Sequence, residues 1–177
     1  MYYFIVNPNA GSGRGLTVWN DTKKYLNKKN IDYDVYFTAE RGDARRRAKE
    51  ITETCMGPVY MVAVGGDGTI NEVIDGAVLR SDVAFGFIPA GSGNDLTKGL
   101  GLSASTRKSI RRALSDGRIE KLDYGVLSCG EGGEGCIRRF TVSSGMGFDA
   151  AVCHSLICCR EKGNRGIMRL GALSYLL

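Results

Sequence analysis

Apolar and polar positions along the chain fall into two alternating rhythms, and the alternation predicts strands and helices in turn. Residues 2–6 (Tyr-Tyr-Phe-Ile-Val) form a short β-type run. After a turn-rich stretch, Leu16, Trp19, Lys23 and Leu26 mark one face of a helix ending near Asn30. Tyr33, Val35 and Phe37 alternate with polar neighbours and read as a strand. Ala44, Ala48, Ile51 and Cys55 then share a helical face that Asp43 is placed to cap. Gly57-Pro58 breaks this helix, and residues 59–64 are apolar enough for a buried strand. Ile70, Val73, Ile74, Ala77 and Val78 return to helical spacing, and residues 84–88 form a further strand. A last helix has Ser103 or Ser105 as its cap, Ile110, Ala113 and Leu114 inward, and Gly117 as its stop. Four β-α repeats predict a parallel sheet covered by helices, an α/β fold.

Beyond that point the rhythm changes. Residues 119–127 and 137–143 are strand-like, with the glycine-rich loop 128–135 and no helix between them. They predict an antiparallel hairpin, which places a domain boundary near Asp123, with domains at 1–123 and 124–177. A glycine turn at 145–150 precedes a mostly apolar helix to about Cys159, then a basic loop at 160–166 and an apolar run at 170–177.

Strand ends carry the chemistry. Gly65-Gly66-Asp67-Gly68-Thr69-Ile70-Asn71-Glu72 joins the buried strand to a helix. Glycines there let backbone N–H groups approach an anion, and the helix N-terminus adds partial positive charge. Asp67 would repel phosphate unless a metal ion or a proton in transit lies between, so this loop asks for Mg2+ and phosphoryl chemistry. Asn7 to Gly15 and Pro89-Ala90-Gly91-Ser92-Gly93-Asn94-Asp95 are two more such loops, so in chain order the loops at Asn7, Gly65 and Pro89 are the first, second and third. In a parallel sheet all three belong to the carboxyl edge, where open α/β sheets bind ligands. Gly11, Gly13 and Gly15 space as G-x-G-x-G, which is not the dinucleotide fingerprint. Glu72, in the first turn of its helix, is also accounted for by the helix dipole alone.

Composition changes this picture little. The 177 residues are 43% hydrophobic and 24% charged, ordinary for a globular protein, and the net charge of +5 suits a polyphosphate or an anionic membrane surface. Basic residues are scattered and aromatics do not interleave with them, which argues against nucleic acid. No stretch has the length of a membrane-spanning helix, and the N-terminus lacks the basic flank of a signal peptide. The six cysteines contain no C-x-x-C pair and read as reduced cytoplasmic thiols. Cys153-His154 with Cys158-Cys159 has the residue types of a metal site, against the plainer reading of small hydrophobes on a helix. Arg45, Arg46 and Arg47 are adjacent and splay around their helix, a solvated face rather than a ligand cluster.

Asn7-Pro8-x-x-Gly11, Gly65-Gly66-Asp67-Gly68-Thr69, Pro89-x-Gly91-Ser92-Gly93-Asn94-Asp95 and Gly145-x-Gly147-Phe148-Asp149, in this order, resemble the diacylglycerol kinase catalytic domain family of bacterial lipid kinases, sphingosine kinases and ceramide kinases. The resemblance implies an NAD kinase/phosphofructokinase-like α/β domain, a second β-sandwich domain, and ATP with Mg2+ in the cleft. Nucleotide contacts would then come from Asn7, Thr38, residues 65–71 (Gly65, Gly66, Asp67, Gly68, Thr69, Ile70, Asn71) and Gly91, Ser92, Gly93 and Asn94. Asp67 would act on the acceptor hydroxyl or organise the metal, with Asp123 linked to the metal network. Ser92 resembles the sphingosine kinase form of its motif. The acceptor would be a lipid alcohol at a membrane surface, with Arg160, Lys162, Arg165 and Arg169 against anionic headgroups at the inner face of the membrane. Family members continue well past the equivalent of Leu177, so the resemblance also implies a truncated chain, inactive or poorly active alone, whose strands around Val126 and Phe140 promote self-association. NAD kinases share Gly-Gly-Asp-Gly-Thr, but the first and third motifs fit lipid kinases better. A non-catalytic nucleotide-binding module is the other alternative.

Overall fold

A computed structural model of the chain describes residues 1–101, 103, 105–114, 119–129, 136–145, 147, 150–151 and 154–155. The basic loop, the cysteines at 153, 158 and 159, Phe148, Asp149 and the apolar run after residue 169 lie outside the described residues. The chain forms two compact units, Met1–Val142 and Ser143–Leu177. In the second, Gly147 has φ +67°, its carbonyl accepts from the N–H of Ala151 (3.0 Å), and the described positions 150, 151, 154 and 155 are helical.

In the first unit, β1 (Tyr2–Val6), β2 (Tyr33–Phe37), β3 (Val59–Gly65) and β4 (Val83–Pro89) form one parallel sheet in the order β2-β1-β3-β4. Helices cover both faces, as the repeat of elements predicts. Phe4, Val6, Val62, Val64 and Ile88 meet Val18, Trp19 and Leu26 of α1 (Ala10–Lys29) and Ile110 of α5 (Thr106–Ala113). Ile5, Met61 and Ala63 point the other way, onto Ala44, Ala48 and Ile51 of α2 (Asp43–Thr54) and Ile70, Val73 and Ile74 of α3 (Asp67–Gly76). The period of two in each strand divides its side chains between two cores. β3 lies between two neighbours, and all but Tyr60 of its residues are buried. The short α4 (Asp95–Gly99) follows the third glycine loop. β5 (Gly125–Cys129) and β6 (Cys136–Phe140) pair antiparallel, the expected hairpin. No helix among the described residues is long and apolar enough to cross a membrane.

Several local expectations need correction. Leu16 and Lys23 are exposed, and the buried face of α1 runs through Gly15, Val18, Trp19, Thr22 and Leu26. The backbone leaves helical geometry at Gly11, Ser12 and Gly13, so the first turn of α1 is irregular. Asp43 is the first residue of α2 and does not cap it; its Oδ2 accepts the N–H groups of Ala39 (2.8 Å) and Glu40 (3.1 Å) and so closes the turn before the helix. Ser105 does occupy the N-cap position of α5, but its side chain makes no cap bond; its N–H donates to Ser103 Oγ. The helix carrying Ile70 stops at Gly76, leaving Val78 outside and exposed. The strand expected from residue 119 starts only at Gly125, with Ile119, Leu122 and Tyr124 exposed ahead of it. Arg45, Arg46 and Arg47 do splay, and each finds a carboxylate: Asp75, Asp43 and Glu50 respectively.

Candidate phosphate-binding rim

The parallel register brings the ends of β1, β3 and β4 level, with Val6 beside Val64 and Gly65 beside Pro89. The ladder runs one step further into the loops. The N–H of Asn7 donates to Val64 O (2.9 Å), that of Thr38 to Val6 O (2.9 Å) and that of Ala90 to Gly65 O (2.7 Å). Each loop therefore leaves the sheet from a bonded starting point. Asn7, Thr38, Asp67 and Ser92 all follow the carboxyl ends of their strands, on a single rim.

Glycine allows these loops to close on one another. A Cβ on Gly91 would lie 2.6 Å from Gly66 Cα, and one on Gly11 (φ +58°) would lie 2.3 Å from Ala90 O. Either approach excludes a side chain. The third loop is locked from within: the N–H of Gly91 donates to Asn94 Oδ1 (3.0 Å), and Asn94 Nδ2 donates to Gly91 O (2.7 Å). Asn94 itself is left-handed, at φ +54°.

Helix α3 starts at the centre of the rim. Asp67 Oδ1 accepts the N–H of Leu96 (3.1 Å), which ties the second loop to the third. Its Oδ2 approaches Gly93, 3.2 Å from where a Cβ would stand, and Asp95 Oδ2 lies 3.4 Å from the same point. Two carboxylate oxygens thus flank Gly93. Gly68 is exposed with open space above it. Thr69 is buried, and its Oγ1 accepts from Asn7 Nδ2 (3.4 Å), while Asn7 Oδ1 accepts from the N–H of Asn9 (3.0 Å). Ile70 is a core residue, leaving only its backbone for the rim. Asn71 turns its Oδ1 to Thr141. Glu72 Oε1 accepts the N–H of Gly42 (3.0 Å), so α3 also holds the loop that begins at Thr38.

The rim gathers Asn7, Gly65, Gly66, Asp67, Gly68, Thr69, Gly91, Ser92, Gly93 and Asn94, with Thr38 at the end of the outer strand. Asp123 is exposed at the approach to β5, and no described bond joins it to Asp67. Among the described residues no group of three or more His, Cys, Asp or Glu side chains is placed to hold a metal. Asp95 was missed as a second carboxylate of the rim. Its signal was its place beside Asn94, two residues after Gly93.

The model of the diacylglycerol kinase catalytic domain matches residues 1–127, the whole sheet and its loops. The chain belongs to the diacylglycerol kinase family. Relatives include a Staphylococcus epidermidis diacylglycerol kinase, 31% identical over 125 residues, covering 70% of this chain and 39% of that protein. The Arabidopsis thaliana sphingoid long-chain bases kinase 1 is 35% identical over 100 residues, covering 52% of this chain and 13% of that protein. A crystal structure of a diacylglycerol kinase from Bacillus anthracis superposes with a TM-score of 0.51 at 28% identity, covering 62% of this chain and 40% of that one. The chain thus spans well under two thirds of the length of these members of the lipid-kinase family.

Proposed function

We propose that the chain is the nucleotide-binding part of a lipid kinase that transfers the terminal phosphoryl group of Mg-ATP to the hydroxyl of diacylglycerol or a related lipid. The observation that carries this reading is the position of Asp67 at the helix N-terminus, between glycine loops that a Cβ would force apart. Backbone N–H groups of those loops and the α3 N-terminus attract the phosphates. Transfer of this kind needs positioning and charge neutralisation more than covalent help. The lipid oxygen attacks the terminal phosphorus, the bond to the ADP oxygen breaks, and Asp67 takes the hydroxyl proton.

Asp67 and Asp95, each with an oxygen within 3.4 Å of the Cβ position of Gly93, would hold Mg2+ together with phosphate oxygens and water, while the other Asp95 oxygen lies 3.1 Å from Lys98 Nζ. Magnesium, when bound, would neutralise charge on the transferred group. Asp123 would join that network indirectly. The second domain, from residue 124, would supply the lipid site, and the enzyme would work from the cytoplasm at the inner face of a membrane. Exposed Val126 and Ile137 would carry any self-association.

The test uses labelled ATP and a panel of acceptors (diacylglycerol, a sphingoid base, ceramide and NAD) with the full-length protein and its Asp67→Asn form. Asparagine keeps an oxygen for the N–H of Leu96, so the fold survives while the charge and the base are lost. Label enters a lipid, and the variant loses about a hundredfold or more of the rate. Label in NAD points to an NAD kinase-like enzyme, and ATP binding without any transfer to a non-catalytic module. Either result defeats the proposal.

A further inference from the structure

The polar residues of α3 form a stripe that continues away from the rim. Asp67, Asn71 and Asp75 are four residues apart and therefore share one face of the helix. Asp67 meets the third loop, and the next two meet β6 and the residue just beyond it. Asn71 Oδ1 accepts both the N–H (3.1 Å) and the hydroxyl (2.9 Å) of Thr141. The carboxylate of Asp75 accepts the N–H of Arg139 (2.8 Å), Arg138 Nη1 (3.0 Å) and Arg45 Nε (2.9 Å). The Arg139 side chain turns to the far end of the helix, where Nη1 donates to the carbonyls of Ala77 (2.7 Å) and Ile74 (3.1 Å).

Spacing explains why one strand can make all these bonds. Four helical residues advance about 6 Å. Two strand residues advance about 6.8 Å. Thr141 and Arg139 are two apart and meet Asn71 and Asp75, which are four apart. The segment therefore runs antiparallel to the helix with matched register. Its last bonds fall on carbonyls at the C-terminus of α3, where a cation is favoured.

We propose that β6 is a brace for α3, with Thr141 and Arg139 acting as positioning residues for the phosphate rim. The inference rests on the reading of that rim as the nucleotide site. Ile70, Val73 and Ile74 hold α3 against the sheet, but apolar packing is non-directional and resists sliding along the helix axis poorly. Directional bonds at both ends of 71–77 fix the axial position. A slide of the helix would carry Asp67 and Gly68 with it. Asn71 is then a fixture for the hairpin through its Oδ1, and not a nucleotide contact through that atom.

The experiment compares wild type with Thr141→Val, Arg139→Met and, as the conservative control, Thr141→Ser, all in the full chain. Amide hydrogen exchange is followed at residues 66–72 and 136–142, and MgATP affinity is measured on the same samples. Loss of the Thr141 hydroxyl bond, or of the Arg139 side-chain bonds, speeds exchange at the rim, as well as in β6, by about fivefold or more. MgATP affinity falls by a similar factor in both variants, and Thr141→Ser behaves as wild type. Faster exchange in β6 with unchanged exchange at 66–72 overturns the brace. If wild type binds no MgATP, the nucleotide reading fails, and exchange at 66–72 alone still decides for or against the brace.

Discussion

Replacing Gly68 with alanine separates two reasons for glycine at the rim. Gly68 is the second residue of α3, exposed, and a Cβ there has no neighbour within 4 Å. Nothing in the protein itself requires its bare Cα. Alanine is the better helix former by up to about 1 kcal/mol, so Gly68→Ala leaves stability unchanged or slightly raised. Gly91 is the opposite case. Its Cβ would stand 2.6 Å from Gly66 Cα and 3.1 Å from Asn94 Oδ1, so two backbones have to part. Overpacking of that kind costs about 1–3 kcal/mol. If phosphate lies over Gly68, a methyl there blocks one or two N–H bonds to a charged group, each worth about 1.5–3 kcal/mol. The loss corresponds to a factor of about ten to a hundred or more in MgATP affinity. Urea unfolding and calorimetric titration with MgATP, run on the same preparations, read both effects. Gly68→Ala should bind weakly while folding like wild type, and Gly91→Ala should be weakened in both. A Gly68→Ala protein with wild-type affinity for MgATP would refute the placement of phosphate on this helix end.

Two further predictions concern the loops. Asn94→Ala loses both bonds to Gly91 and puts alanine at φ +54°, a combined cost of about 2 kcal/mol or more; Asn94→Gly should recover the backbone part, and equal urea midpoints for the two variants would contradict that division. The N–H groups of Ala39 and Glu40, and then Arg46 and Arg47, hold the Asp43 carboxyl below its usual range. Because the folded value is the lower one, its contribution is present above about pH 4 and is lost as the pH falls through the folded value. Exchange of the 39–42 amides should therefore stay flat from neutral pH to about pH 4 after correction for the intrinsic rate, then rise. Asp43→Asn should abolish that step, and a step that survives in the variant would assign it to another group.

Much of the frame is legible in the sequence because its signals are local. Residues 59–64 are apolar on both faces, and a strand with helices on either side is what buries both. Each glycine loop sits where a strand period gives way to a helix period, and in a parallel sheet that alone places the loops on one edge. The rotation of α1 was not legible in this way. Leu16 and Lys23 keep helical spacing with Trp19 and Leu26, yet they face solvent, because the helix packs on the sheet through Val18, Trp19 and Leu26, a face centred to one side of that stripe. Asp43 carries the composition of a cap, but the nearest open donors belong to the preceding turn.

By itself the sequence determined the α/β alternation, the parallel sheet and the gathering of the glycine loops, since periodicity and turn chemistry depend only on neighbours along the chain. Which carboxylate oxygen meets which N–H was decided by the tertiary structure alone. Asn71 meets Thr141, Asp75 meets Arg139, and Glu72 meets Gly42, across separations that no local pattern encodes. A hydrogen bond selects its partner by distance and direction, and these exist only after the sheet and its helices have packed.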